Sequence, residues 1–285
     1  MAGAWFFHFM VETFIEDVLG VKASHQGLYG DTAGYYGTVE QQGRLTLHLH
    51  MLLWIKGYLN PHELREKIMN SDEAWQNKLY IYLESCHSGD FITGSHAEVS
   101  ERLEKEQTKD GYIDPTQTLP DPPPNKCRQN PGHNHTEALQ CKGCKDMTDW
   151  EEKYKTTVDN LLHRSNIHNC SRGINKDGVR NKKTSGSCMD NKWNKCKARF
   201  PQPTFLKMAI DECSSVCMKK LEPWLNTFSS LVTYVLRCNT DVTSLSSGTA
   251  IKGVVLYVSD YITKSTLKTH TILILSNQCS KKIAK

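Results

Sequence analysis

An α+β fold carrying a Cys/His-rich insertion follows from three features of the sequence. Leu45, Leu47, Leu49, Met51 and Leu53 alternate with Thr46, His48 and His50, and this period of two marks a strand with one apolar face. Other segments repeat apolar residues every three or four positions, as helices do. Between them, residues 106–203 concentrate prolines, cysteines, histidines and basic side chains.

The elements follow in order. Phe6, Phe7, Met10, Val11, Phe14, Ile15 and Val18 recur at helical spacing, and Gly20 supplies a stop, so the first element is a packing helix. A glycine-rich turn region, Gly27 to Gly37, leads into strand from Tyr35 to Ile55, with a hairpin turn near Gln42-Gly43-Arg44. Pro61 to Glu84 carries a helical pattern. Glu106 to His135 reads as loop because of Pro115, Pro120, Pro122, Pro123, Pro124 and Pro131. Thr148 and Glu151 have the spacing of a capping box that opens a helix through His163. Ser165 to Pro203 is irregular and basic. Helical patterns return from Phe205 to about Arg237 and from about Val254 to Lys268. The divisions expected are 1–105 with the His-x-His strand, 106–203 as linker and insertion, 204–275 as a helical part, and 276–285 as a tail.

Composition removes several functions. The chain has 285 residues, 38% of them hydrophobic, which is enough for a core, and a formal net charge of +4, which permits a nucleic-acid partner without demanding one. No apolar run reaches the roughly 18–20 residues of a membrane span, so no membrane partner is expected. The apolar N-terminus contains His8, Glu12, Glu16 and Asp17 and lacks a basic start, unlike a signal peptide. The 11 cysteines are therefore read as thiols and metal ligands, not disulfides, and the sequons at Asn134 and Asn169 carry no weight. The phosphate-binding pattern Gly-x4-Gly-Lys-Ser/Thr is absent, so no nucleotide-driven motor is encoded here.

The alternating strand places His48 and His50 on one face, where two imidazoles can hold a divalent cation. Glu40 and Gln42 share their parity in the neighbouring strand. Either can supply an oxygen as third ligand, and hairpin register decides which. A mixed imidazole and oxygen set suits Mg²⁺ or Mn²⁺ positioning a phosphate. Two histidines on a half-exposed strand would look the same in isolation. Near the C-terminus Tyr257, Tyr261 and Lys264 share one helix face. A tyrosine hydroxyl can attack phosphorus, and a nearby cation would ease loss of its proton, whose ordinary pKa is about 10. Two aromatics on a core helix are the bland alternative.

The middle of the chain offers structural Zn²⁺ ligands. One grouping is Cys127, His133 or His135, Cys141 and Cys144, the last two at knuckle spacing; another is His168, Cys170, Cys188 and Cys196. The second is embedded in basic and aromatic sequence that includes Lys192, Trp193, Lys195, Lys197 and Arg199, a composition that suits single-stranded DNA. Cys213 and Cys217 fall on a helical pattern and read as buried thiols.

Taken together, the run Tyr35 to Arg44 leading into His48-Leu49-His50 resembles the metal motif of Helitron-type rolling-circle transposases. The segment Tyr257 to Lys264 resembles their two-tyrosine motif, Asn239-Thr240-Asp241 a short element preceding it, and Lys195 to Pro201 a Cys-plus-Phe-Pro element between the two. The resemblance implies a replication-initiator (HUH) endonuclease fold, a central antiparallel sheet with packed helices. It also implies cleavage of single-stranded DNA at transposon ends by metal-assisted tyrosine attack, giving a 5′-phosphotyrosine, and residence in the nucleus. The alternative is a non-catalytic, zinc-stabilised DNA-binding remnant. The resemblance further implies that this is a piece of a longer protein, with a zinc-finger-like region before it and a helicase domain after it. Residues 276–285 match nothing in the family.

Overall fold

The fold is described from a computed structural model, which describes residues 2–42, 46–125, 141–170, 188–189, 192–193, 195–210, 216–245, 253–254 and 256. The chain divides into two units, residues 1–70 with 245–285, and residues 71–244.

The first unit opens with helix α1 (Ala2–Thr13), which widens into a π-helical turn over Phe14–Val18. Of the residues expected to pack, Phe7, Met10, Val11, Phe14, Ile15 and Val18 are partly covered, but Phe6 is 65% exposed, like Trp5 and Phe9. Gly20 stops the helix at φ +64°, a conformation that favours glycine. Gly27 then passes so close to the last helical turn that a Cβ there would lie 2.1 Å from the Leu19 carbonyl oxygen. The chain continues into an antiparallel hairpin of β1 (Thr32–Gln42) and β2 (Thr46–Ile55), and the turn predicted around residues 43–45 lies outside the described residues. Two corrections apply. Among the described residues this sheet has two strands, where a larger central sheet was expected. Leu47, Leu49, Met51 and Leu53 are consequently half-covered, not fully buried, because a single hairpin pairs the backbone without providing a second layer. Helix α2 (Pro61–Asn70) closes this stretch, with Leu64 and Ile68 buried one turn apart.

The second unit begins with α3 (Glu73–Cys86), capped by the Asp72 carboxylate accepting from Trp75 N at 2.9 Å. The predicted Pro61–Glu84 helix is therefore two helices broken at residues 71–72, where Asp72 competes for the backbone as a cap. Helix α4 (His96–Gln107) starts with a full capping box: Ser95 Oγ accepts from Glu98 N, and the Glu98 carboxylate accepts from Ser95 N at 2.7 Å. A short 3₁₀ turn, Pro115–Gln117, follows. Helix α5 (Lys142–Ser165) is the longest element. The capping box expected at Thr148 is absent, because the helix begins a turn and a half earlier and Thr148 Oγ1 donates to the Cys144 carbonyl instead.

Val99 and Leu103 of α4 meet Val158 and Leu162 of α5, with Phe91, Leu225, Phe228 and Tyr234, in one apolar core. Helical structure was expected from Phe205 to Arg237, but among the described residues of that stretch only α6 (Ser230–Leu236) is helical. The other described residues are strand, bend, turn and irregular chain, with β3 (Ala209–Ile210) paired to β4 (Val216–Cys217), and bridges Phe205–Lys220 and Ser88–Phe228. Pro203 and Pro223 explain the difference, since each removes a helical donor and restrains the residue before it. Cys217 is accordingly a partly exposed strand residue; Cys213 lies outside the described residues. Residues 253–254 and 256 are helical, and the remainder of the predicted Val254–Lys268 helix lies outside them.

Candidate functional site

Hairpin register settles which acid faces the histidines. Glu40 pairs with His48 and Thr38 with His50, so Glu40, His48 and His50 occupy one face, while Gln42 pairs with Thr46 nearer the turn. Glu40 Oε1 lies 3.4 Å from His50 Nε2, and the two imidazole centroids are 4.8 Å apart. All three side chains are largely covered. Burial lowers the His48 pKa, the His50 ring lowers it further, and the Glu40 carboxylate partly opposes them. His48 therefore keeps its neutral form, with a lone pair available to a metal, over a wider range than a free imidazole. This donor set fits a hard-to-intermediate divalent cation. Thr38, which sequence reasoning passed over, shares this face; its signal was its parity with Glu40 alone. The side chain of Gln42 and all of Tyr257, Tyr261 and Lys264 lie outside the described residues.

A second site stands in the other unit. His168, Cys170, Cys188 and Cys196 present ligand atoms that all lie within 4.8 Å of one another, so these residues can hold a metal such as zinc. The predicted grouping of these four is thus brought together. His168 Nε2 is 3.4 Å from Cys188 Sγ and 3.3 Å from Cys196 Sγ. Two chain segments supply the donors: His168 and Cys170 just beyond α5, and Cys188 and Cys196 from a turn-rich stretch. His168 is held by its backbone, donating to the Trp224 carbonyl at 2.8 Å. Its ring stacks on Phe200 at 4.3 Å and 9°, and Phe200 is in turn parallel to Trp224 at 6.4 Å. Trp224 was missed in the sequence, since nothing local ties it to a histidine 56 residues earlier.

The thiols perturb one another. Burial, then the neighbouring Cys196 and Cys188 sulfurs, push the Cys170 thiol up to about 12. Burial also acts upward on Cys196, but backbone N–H groups of Phe200 and Ala198 and the adjoining thiols outweigh it, and the net shift is downward.

Of the other proposed ligands, Cys141 is the N-cap residue of α5 and Cys144 lies in its first turn, both partly exposed. Cys127, His133 and His135, which would complete that grouping, lie outside the described residues. Lys192, Trp193, Lys195, Lys197 and Arg199 are all exposed beside the second site. No described helix is long and apolar enough to cross a membrane.

The family model described as the Helitron helicase-like domain at the N-terminus matches residues 1–53. No curated protein and no solved structure gives a significant match. The matched stretch contains α1, β1 and the part of β2 that bears both histidines, so the resemblance seen in the hairpin is shared with an independent description of the family. Over this N-terminal segment the chain is similar to the domain that the Helitron helicase-like model describes.

Proposed function

We propose that the chain provides the metal-binding and tyrosine-bearing parts of a Helitron-type endonuclease and strand transferase acting on single-stranded DNA in the nucleus. The observation that carries this reading is the convergence of Glu40, His48 and His50 on one face of the hairpin, inside the family-matched segment. Glu40, His48 and His50, with Gln42 as a further donor, would hold Mg²⁺ or Mn²⁺. When bound, such an ion supplies Lewis acidity and fixes one phosphate oxygen.

The remaining steps belong to side chains. The hydroxyl of Tyr257 or Tyr261 loses its proton and attacks phosphorus. The bond from phosphorus to the 3′-oxygen breaks, and that oxygen takes up a proton to become a free 3′-hydroxyl. The 5′ end remains on the tyrosine as a phosphodiester, which conserves the bond energy for rejoining, so cleavage needs no nucleotide. Lys264, one turn beyond Tyr261, is placed by sequence to pair with the phosphate. The second tyrosine serves the transfer step. A helicase domain is the expected partner in a full-length protein.

The test is a denaturing gel of the purified chain with labelled single-stranded DNA and Mn²⁺. A protein–DNA band resistant to denaturant is expected, and loss of the band in the Tyr257→Phe/Tyr261→Phe variant supports the reading. His48→Ala should abolish the band while leaving the circular dichroism spectrum unchanged. Cleavage surviving the loss of both tyrosines overturns it. The Cys/His cluster favours a second reading, a zinc-stabilised DNA-binding remnant, which predicts DNA binding with no covalent band from a folded protein.

A further inference from the structure

We propose that His168, Cys170, Cys188 and Cys196 bind one Zn²⁺ and that this ion fixes Lys192, Trp193, Lys195, Lys197 and Arg199 as a docking platform for single-stranded DNA. The proposal takes from the proposed function only the class of nucleic acid, and uses neither the tyrosines nor the hairpin histidines.

The donor distances fit a tetrahedral site. Zinc bonds of about 2.3 Å to sulfur and 2.0 Å to nitrogen set a sulfur–nitrogen edge of about 3.5 Å. His168 Nε2 already stands 3.4 and 3.3 Å from two of the sulfurs. Three thiolates with one imidazole are a soft set that selects zinc over magnesium or manganese. The imidazole is oriented by the Phe200 stack and by the backbone bond to Trp224. The loop folds back on its own ligands: Lys197 N donates to the Cys188 carbonyl at 2.8 Å and Arg199 N to the Cys196 carbonyl at 3.0 Å. Zinc would therefore tie a short loop to the end of α5, and the ordering entropy of that loop is met by metal binding rather than by an apolar core.

What the loop presents is cationic and aromatic. Trp193 is 69% exposed, and Lys192 Nζ sits 4.5 Å over its ring. Lys195, Lys197 and Arg199 are exposed around it. Three thiolates around Zn²⁺ leave the centre with one negative charge, so these cations exceed what local neutrality needs. An aromatic face can stack on an unpaired base while the cations follow the phosphates. The described backbone from 195 to 200 is bend, turn and irregular chain, with Arg199 at φ +63°, and such a loop offers exposed side chains to an unpaired base rather than a helix to a major groove.

The experiment uses the full chain, purified without chelator. Metal content is measured by mass spectrometry, and Co²⁺ exchange by thiolate charge-transfer and tetrahedral d–d absorption. Cys188→Ser and His168→Ala should each lose one equivalent of zinc, and His168→Cys should retain it, because a fourth thiolate preserves the tetrahedron. DNA binding is read by anisotropy of labelled oligothymidine. Trp193→Ala should keep its zinc yet weaken binding about five-fold or more. Lys195→Ala/Lys197→Ala should flatten the salt dependence by about 0.7 per lysine. Unchanged zinc in Cys188→Ser overturns the metal site. Unchanged affinity in both loop variants, or tighter binding of an RNA of equal length, overturns the platform. Neither failure touches the covalent-band assay, so the two readings fall separately.

Discussion

Asp159 shows what one residue can do that its sequence neighbourhood conceals. It is fully buried in the middle of α5. Its carboxylate accepts from Ile92 N at 2.7 Å, Thr93 N at 2.8 Å and Thr93 Oγ1 at 2.5 Å, and Arg102 Nη2 lies 3.7 Å away. It thus ties the backbone donors of Ile92 and Thr93 to α5 and sets the approach to α4. Asp159→Ala is expected to cost about 3 kcal/mol or more, since it strands those donors and the Arg102 guanidinium together. Urea denaturation checks this, and a loss below about 1 kcal/mol would mean that water replaces the carboxylate. An acid inside an amphipathic helix reads as surface, so this contact could not be foreseen. His48 and His50 were different: their shared face follows from strand parity alone. Trp224 stands at the opposite extreme, because its role beside His168 depends on tertiary placement and leaves no local trace.

At the scale of elements, helix starts separate what a motif suggests from what the chain adopts. Ser95-x-x-Glu98 and Thr148-x-x-Glu151 carry equivalent capping signatures, yet only the first caps a helix. Glycine at 94, with φ +154°, breaks the chain before Ser95, whereas residues 142–147 are compatible with helix and extend it through Thr148. Ser95→Ala should therefore destabilise by about 1 kcal/mol. Thr148→Ala should be neutral or stabilise by a few tenths, because it exchanges a β-branched interior residue for the best helix former. Thermal unfolding of the two variants side by side tests the contrast; equal losses would contradict it. The hairpin was legible as two strands from alternation, but the choice between Glu40 and Gln42 was not, because parity fixes the face and only register fixes the partner. The stretch after Pro203 misled for a related reason. Its apolar spacing fits a helix, while two prolines and long-range pairing of Phe205 with Lys220 impose extended chain.

For the molecule as a whole, among the described residues one candidate metal site falls in each unit, and each unit must be stable on terms its own side chains set. In the second unit those terms include histidines kept neutral. His87, at the end of α3, is 4% exposed, and burial lowers its pKa. His163 on α5 is lowered by burial, by His96 and by Arg164. Between the lowered folded values and the ordinary value of about 6.5, the unfolded chain binds protons that the folded unit refuses. Unfolding then takes up protons, so stability rises with pH across this window and is lost as pH falls below about 6.5. Replacing His87 by leucine removes one such group from a buried, similarly sized space. The expected result is a shallower fall in stability as pH drops below about 6.5, read from hydrogen exchange of the core amides 158–162. The slope should not vanish, since His163 still contributes, and acid release of a metal from the thiol cluster would act on both proteins alike. An identical acid limb in the two proteins would place the proton uptake elsewhere and leave His87 as a packing residue.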